Sequence, residues 1–427
     1  MGLGGSAYNR TPILLNHRSV RPMPDLPNTD HLGAVSDRAG DSAPLGIAAA
    51  QLKRLTVMQL LPELESGGVE RGTIEIAMAL KAAGHRAIVV SGGGRMVAEL
   101  ESIGVQHITL PIGKKSLWTL RYVRTLRRLF VAQGVDIVHL RSRVPAWVGW
   151  LAWRRMDPAT RPRLVTTVHG PYSTNAYSAV MLRGERVIAV SDMIVDYIHQ
   201  NYPWMEPQRI HRIYRGVDPA AFPEGYQPGA AWLAQWRNEF PQLRNRWVLT
   251  LPGRITRWKG QLDLLEIVAR LKAEGVPVHA LIVGGTHPRK RRFLIEIEAE
   301  IAARGLGADV TLVGQRGDLR EIMAVSDVVL SLSTDPEAFG RVSLEALTLG
   351  RPVLGYAHGG VGEQLSAMYP AGAIRLGDID GAVSRLRDWH AHGAPLVPSE
   401  RPFTLRAMQD QTLSVYEELW RSPREAR

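Results

Sequence analysis

Cysteine is missing from this 427-residue chain. Its absence excludes disulfide staples, thiolate zinc centres and a cysteine nucleophile, and it fits a reducing compartment. Long apolar runs are missing too. The longest, 144–153, is about half the ~20 residues that span a bilayer, and it ends in Arg154 and Arg155. Acids are in deficit: 41 Asp and Glu face 52 Lys and Arg, giving a net charge of +11 and a pI near 10.0. That balance asks for an anionic partner, whether nucleic acid, anionic lipid or a phosphorylated substrate. The first glycine-rich turn, Gly67-Gly68, does not spell G-x-G-x-x-G and no acid follows at ribose-binding distance, which counts against a nicotinamide cofactor. Residues 1–50 hold five prolines with scattered Gly, Ser and Asp. They show neither helical nor strand periodicity, nor the basic-then-apolar order of a signal peptide, and read as a disordered leader.

What remains alternates short apolar runs with helix-period segments, the pattern of βαβ units on parallel sheets. The spacing predicts strands at 55–61, 87–91, 107–111, 136–140, 164–168, 186–190 and 210–214. After a break at 218–246, rich in Pro, Gly and Trp, it predicts 247–251, 278–283, 310–313, 328–332 and 352–356. The economical fold is α/β, with two Rossmann-like halves facing each other across a cleft and a hinge between them. Ligands of such sheets bind at the carboxyl ends of strands, so the site is expected in the cleft. The expected limits are 54–225 for the first domain, 226–245 for a linker and 246–400 for the second.

The segment PEAFGRVSLEALTLGRPVLGYAHGG carries the most chemical information. Glu337 and Glu345 stand eight positions apart, and a helix over 343–349 places Glu345 one turn in, with Glu337 on the loop before it. Free amides at a helix start attract anions. Two carboxylates flanking such a site suit a sugar joined to a diphosphate, with an exposed Phe339-Gly340 beside them. Upstream, LPGRITRWKGQLDLL sets Arg254 and Lys259 between Gly253 and Gly260, a shaped basic turn after a strand.

These two motifs, in this order and spacing, resemble the GT-B glycosyltransferases of family GT4 (glycosyltransferase group 1), with their E-x7-E pair, over roughly residues 54–420. The resemblance implies a retaining transfer of sugar from a nucleotide-diphosphate donor. Arg254 and Lys259 would grip the diphosphate and stabilise its departing charge, so that no divalent metal and no cofactor are needed. Glu345 would hold the ribose hydroxyls and Glu337 the donor sugar, aided by the amides of Ala338, Phe339 and Gly340. The base would meet Gln315 or Arg316 in GQRGDL. His169 would meet the donor sugar from the end of a first-half strand, and Gly67 and Gly68 would lie near the donor phosphates. The last segment, 401–427, would return to the first domain as a helix near 404–420.

Other residues are read against plainer roles. Arg71, Arg141 and Arg143 suit a phosphorylated or carboxylated acceptor, or solvate the surface. His85 reads as structural, Glu363 as a helix-start acid, and Gly359-Gly360 as the far wall of the donor pocket. Residues 114–130 carry six basic residues and no acid, with Leu117, Trp118, Leu120, Val123 and Phe130 among them. This stretch is either a sheet-covering helix with a basic outer face or a membrane-surface helix. Trp147, Trp150 and Trp153 share one helix face and read as core, and the basic run 289–292 reads as solvated. The expected acceptor is a glycan or lipid-linked glycan at the inner membrane face, such as lipopolysaccharide core, acted on by a cytoplasmic or peripheral protein with no nucleic-acid partner. A nucleotide-sugar epimerase of the same architecture and a basic nucleic-acid-binding protein are the alternatives.

Overall fold

The computed structural model describes residues 53–65, 67–286 and 291–424. The predicted leader, and Arg289 and Lys290 of the basic run, lie outside the described residues.

Twelve strands form where the apolar runs predict them. In the first half they are β1 (Thr56–Leu60), β2 (Arg86–Ser91), β3 (Gln106–Thr109), β4 (Ile137–Leu140), β5 (Arg163–Val168), β6 (Arg186–Ala189) and β7 (Ile210–Arg212). In the second they are β8 (Trp247–Pro252), β9 (Val278–Val283), β10 (Val310–Gly314), β11 (Val328–Ser331) and β12 (Val353–Tyr356). A thirteenth, β13 (Ala373–Ile374), is two residues long, too short for a periodic signal. Every residue of β4, β5 and β9 is buried. Such strands, covered on both faces, belong to parallel sheets with helices on either side.

The strand orders are β3-β2-β1-β4-β5-β6-β7 and β10-β9-β8-β11-β12-β13, and all pairings are parallel. The order reverses between β1 and β4 and again between β8 and β11. Loops leaving the two strands on either side of a reversal diverge and leave a crevice at the carboxyl edge. Each half therefore opens its crevice at its own switch point.

The helix Gln261–Ala273 shows how the layers pack. Leu264, Leu265, Ile267, Val268 and Leu271 recur at helical spacing and are all buried against the second sheet. Each such side chain contributes roughly 1.5–3 kcal/mol by leaving water. Within the segment read as a linker, Ala230–Glu239 is a helix. Trp236 and the following Phe240 pack with Val248, Leu281, Val283 and Ile322, so this helix is built into the second half. The last helix, Leu405–Arg421, is capped by Thr404, whose hydroxyl accepts from the Ala407 amide. Its Met408, Val415, Tyr416 and Leu419 pack with Ile74, Ile76, Ala77 and Leu80 of the first half. The chain thus crosses between halves twice, and the crossings lie side by side: Val217 N–H donates to the Phe403 carbonyl (3.1 Å) and Leu405 N–H to the Val217 carbonyl (2.9 Å).

Candidate active site

At the second switch point, β8 leads into the turn carrying Arg254 and Lys259, and its neighbour β11 leads into the loop carrying Glu337. Strand order alone brings together residues 78 apart in sequence: Lys259 Nζ lies 2.7 Å from Glu337 Oε1. Ser333 Oγ donates to the same oxygen. The two side chains are 15% and 18% exposed, so the pair is sheltered without being sealed. The ammonium also sits 4.5 Å from the centre of the Trp258 ring. Gly260 has φ +76°, and a Cβ there would come within 2.0 Å of the Leu332 carbonyl. Only glycine allows the basic turn to fold this closely onto the neighbouring strand. Arg254 is exposed on the same turn.

Glu345 lies one turn into the helix Arg341–Thr348, which starts at Gly340. Arg341 Nε donates to its Oε1 at 2.9 Å, and Arg341 Nη2 donates to Oε1 of Glu75 at 2.7 Å. Glu75 belongs to the helix Gly68–Ala82 of the first half, so one guanidinium ties the second acid of the pair to the opposite lobe. Burial raises the carboxyl of Glu345 above its ordinary range, and Arg341 opposes the shift. Sequence reasoning missed this bridge because nothing in either segment announces contact with the other.

One expectation for this region is overturned. Phe339 is not exposed: it is buried in an aromatic cluster with its ring centre 5.9 Å from Tyr214 and 5.6 Å from Phe403. Glu363 does serve a helix start, but of the other half. It accepts from the amides of Asp192 (3.0 Å) and Met193 (2.8 Å) at the start of Asp192–Asn201. Gly360 donates its amide to the Glu337 carbonyl at 2.8 Å.

In the first half, Gly67 and Gly68 open the helix after β1. Their turn is not bare, because the Glu70 carboxylate folds back over it, within 2.6 Å of where a Gly67 Cβ would stand. Arg254 of the second half acts on that carboxylate, which places the two facing turns within electrostatic reach. Arg71 pairs with Glu99. Arg141, at the end of β4, is buried and donates to Gln59 at 2.6 Å. Beside it lies Arg215, which sequence reasoning passed over. A Cβ at Gly72 would meet Arg215 Nη1 at 2.7 Å and Arg141 Nη2 at 3.3 Å, so glycine lets both guanidinium groups lie on the helix backbone.

His169 projects from the end of β5 into this cluster. Arg215 Nη2 lies 2.6 Å from its Nδ1. A guanidinium can only donate, so Nδ1 accepts and the imidazole proton sits on Nε2. Burial, then Arg215 and Arg141, hold the ring well below the ordinary histidine range, and hence neutral. Its Nε2, the Nε of Arg141 and the second oxygen of Glu75 are buried with no hydrogen-bond partner among the described residues. Buried polar atoms are seldom left so. Arg143 is held by Ser178 (3.2 Å) and stacks over Tyr172.

Residues 66–221 match the description Glycosyltransferase Family 4, and residues 234–389 match Glycosyl transferases group 1. The chain belongs to the GT4-type glycosyltransferases. A glycosyltransferase from Rickettsia africae superposes with a TM-score of 0.74 at 27% identity, over 87% of this chain and all of that one. An Anabaena protein solved with UDP and glucose superposes at 0.70 and 22% identity, over 85% of this chain and 100% of that one. The N-acetyl-alpha-D-glucosaminyl L-malate synthase of Bacillus anthracis is 24% identical over 275 residues, 61% of this chain and 68% of that relative.

Two further parts of this glycosyltransferase differ from plain expectation. Gln315, after β10, lies against Gly285 after β9. Arg316 donates two bonds to Asp318 (2.9 and 2.8 Å) and one to Glu239 (2.8 Å). The chain was expected to hold no Asp-x-Asp triplet, but it contains one at Asp378–Asp380. Asp378 caps its own helix through the Gly381 amide (2.9 Å), and Asp380 pairs with Arg270.

The basic stretch 114–130 divides. Tyr122–Ala132 is a helix that buries Val123, Leu126 and Phe130 on the sheet, whereas Leu117 and Trp118, on the preceding turn, are 86% and 79% exposed. Of the tryptophan trio, Trp153 is buried and Trp147 donates to the Tyr177 carbonyl at 2.9 Å. His85 is structural: it is buried, and its Nδ1 accepts from the Leu55 amide at 3.2 Å. Among the described residues no helix is long and apolar enough to cross a membrane.

Proposed function

We propose that this glycosyltransferase moves a sugar, with retention, from a nucleotide-diphosphate donor to a hydroxyl of a membrane-associated glycan. The observation that carries the reading is the Lys259–Glu337 pair at the β8/β11 switch point. It sets a cation and a carboxylate where the diphosphate and the sugar hydroxyls of one donor would meet them. Glu345 is assigned to the ribose, Gln315 to the base, and the amides of Ala338 to Gly340 to the sugar.

In the step itself, the anomeric C–O bond to the leaving phosphate breaks as the acceptor oxygen bonds to the same face of the anomeric carbon. The acceptor proton passes to the departing phosphate oxygen, so no protein base is required. Negative charge grows on the diphosphate, and Arg254 and Lys259 are fixed to receive it; donors so placed commonly contribute 10²–10³ in rate. His169, neutral and with its proton on Nε2, donates to a hydroxyl of the donor sugar.

For the acceptor, Arg141 and Arg215 favour an anionic group, such as the phosphate or carboxylate of an envelope glycan or lipopolysaccharide core. The exposed Leu117 and Trp118, amid Lys114, Lys115 and Arg121, suit an anionic membrane face. The test is incubation with nucleotide sugars, with and without extracted membrane glycolipids. Acceptor-dependent release of nucleoside diphosphate with the anomeric configuration kept supports the reading. An isomerised donor formed without acceptor refutes it.

A further inference from the structure

The cleft lies at the carboxyl edges of the sheets. At the opposite edge of the first sheet, where β5, β6 and β7 begin, a recess of about 600 Å3 opens. Six arginines line it, Arg154, Arg161, Arg163, Arg183, Arg186 and Arg209, and among the lining residues Glu185 is the single carboxylate. That acid is already engaged, lying 3.4 Å from Arg163 and accepting the Leu164 amide at 2.7 Å.

Of the others, Arg186 donates to the carbonyl of Glu185 at 3.0 Å and Arg209 to that of Gly184. Arg161 stacks 3.5 Å from the centre of Trp153, Arg154 lies over Trp150, and Arg183 stands between Trp150 and Trp204. Arg424 adds a further charge at the rim, donating to the Arg161 carbonyl at 2.6 Å. So many like charges around one hollow repel one another unless an anion is present. Arg161 is pushed below its ordinary pKa chiefly by burial, with Glu185 opposing the shift and Arg424 and Arg163 adding to it.

We propose that this recess is a second anion site of the enzyme, taking a small phosphate- or diphosphate-bearing ligand, either free or as a lipid headgroup. Guanidinium forks match phosphate oxygens two at a time. The volume is that of a small-ligand site rather than a flat patch. Placed across the sheet from the donor, the ligand would act as a tether or effector and not as a reactant.

The test uses the full chain carrying Arg254→Ala and Lys259→Ala, so that the cleft cations cannot answer for the recess. Inorganic pyrophosphate, and separately phosphatidylglycerol vesicles, are titrated at about 0.15 M salt, where attraction between distant exposed charges is largely screened. Intrinsic tryptophan fluorescence is the readout, since Trp150 and Trp204 wall the recess. A saturable change is expected, weakened at least about tenfold by adding Arg154→Glu and Arg183→Glu, both exposed, but not by Arg121→Glu and Arg124→Glu outside the recess. A response to pyrophosphate identifies a soluble ligand, and a response to vesicles alone a headgroup. No saturable change with either probe, or a change that survives Arg154→Glu and Arg183→Glu, overturns the proposal.

Discussion

Arg215 holds one N–H 2.6 Å from Nδ1 of His169, and so decides which imidazole nitrogen carries the proton. Without that donor the ring can turn its lone pair toward the substrate. Arg215→Met is expected to lower kcat by roughly 10–100-fold, the worth of one charge-assisted hydrogen bond, with the donor KM little changed. The pH profile separates positioning from mere packing. Burial, and next Arg215, hold His169 neutral well below the ordinary histidine range, so wild-type activity should persist into mild acid. In the variant the histidine pKa rises, and the acid limb of kcat should move to higher pH.

Folding stability should follow the buried histidines. His139 and His169 lie well below their ordinary pKa, chiefly through burial, and His279 is pushed down to about 4. In the unfolded chain all three titrate near 6.5, so over this window the unfolded state binds more protons and stability rises with pH. Stability is then complete above about pH 6.5 and falls as acid approaches the folded values. Denaturant midpoints should drop between pH 7.5 and 5.5, and a midpoint unchanged over that interval would refute the assignment.

Arg341 bridges Glu75 and Glu345 across the two halves. Removing it leaves two buried carboxylates facing each other. Arg341→Met should cost about 3–5 kcal/mol, as breaking one side of a buried pair does. Adding Glu75→Gln should recover part of the loss, because one stranded charge is gone. Additive losses in a double-mutant cycle read by urea denaturation would mean the bridge does not couple the halves.

Phe339 offers a plainer check. Buried between Tyr214 and Phe403, it should lose about 3–5 kcal/mol on truncation to alanine. A loss below about 0.5 kcal/mol is what an exposed ring would show.

The strands were legible because parallel sheets bury both faces, and β9, with His279 its one polar residue, reads as a near-continuous apolar run. The Lys259–Glu337 meeting was legible indirectly: once the order reverses between β8 and β11, their outgoing loops must be neighbours. What escaped notice depends on contacts between halves. Arg341 reads as one more basic residue until Glu75 is placed opposite it. Glu363 reads as a helix-start acid, but which helix it serves is clear only once Asp192 appears across the gap. Phe339 stands in a glycine-flanked loop, where local sequence says exposed, yet Phe403 arrives from the returning segment to cover it. Arg215 follows a three-residue strand, and only Gly72, 143 positions earlier, makes room for it.

The proposed function requires the second half to grip a nucleoside diphosphate through Arg254, Lys259 and Glu345. Calorimetric titration of the wild-type chain with UDP, ADP and GDP measures that grip, repeated on Glu345→Ala and on Arg254→Ala with Lys259→Ala. The expected result is one-to-one binding of at least one nucleotide, weakened about tenfold or more in both variants. Binding of equal strength in all three proteins, or of none of the nucleotides to the wild type, would contradict it.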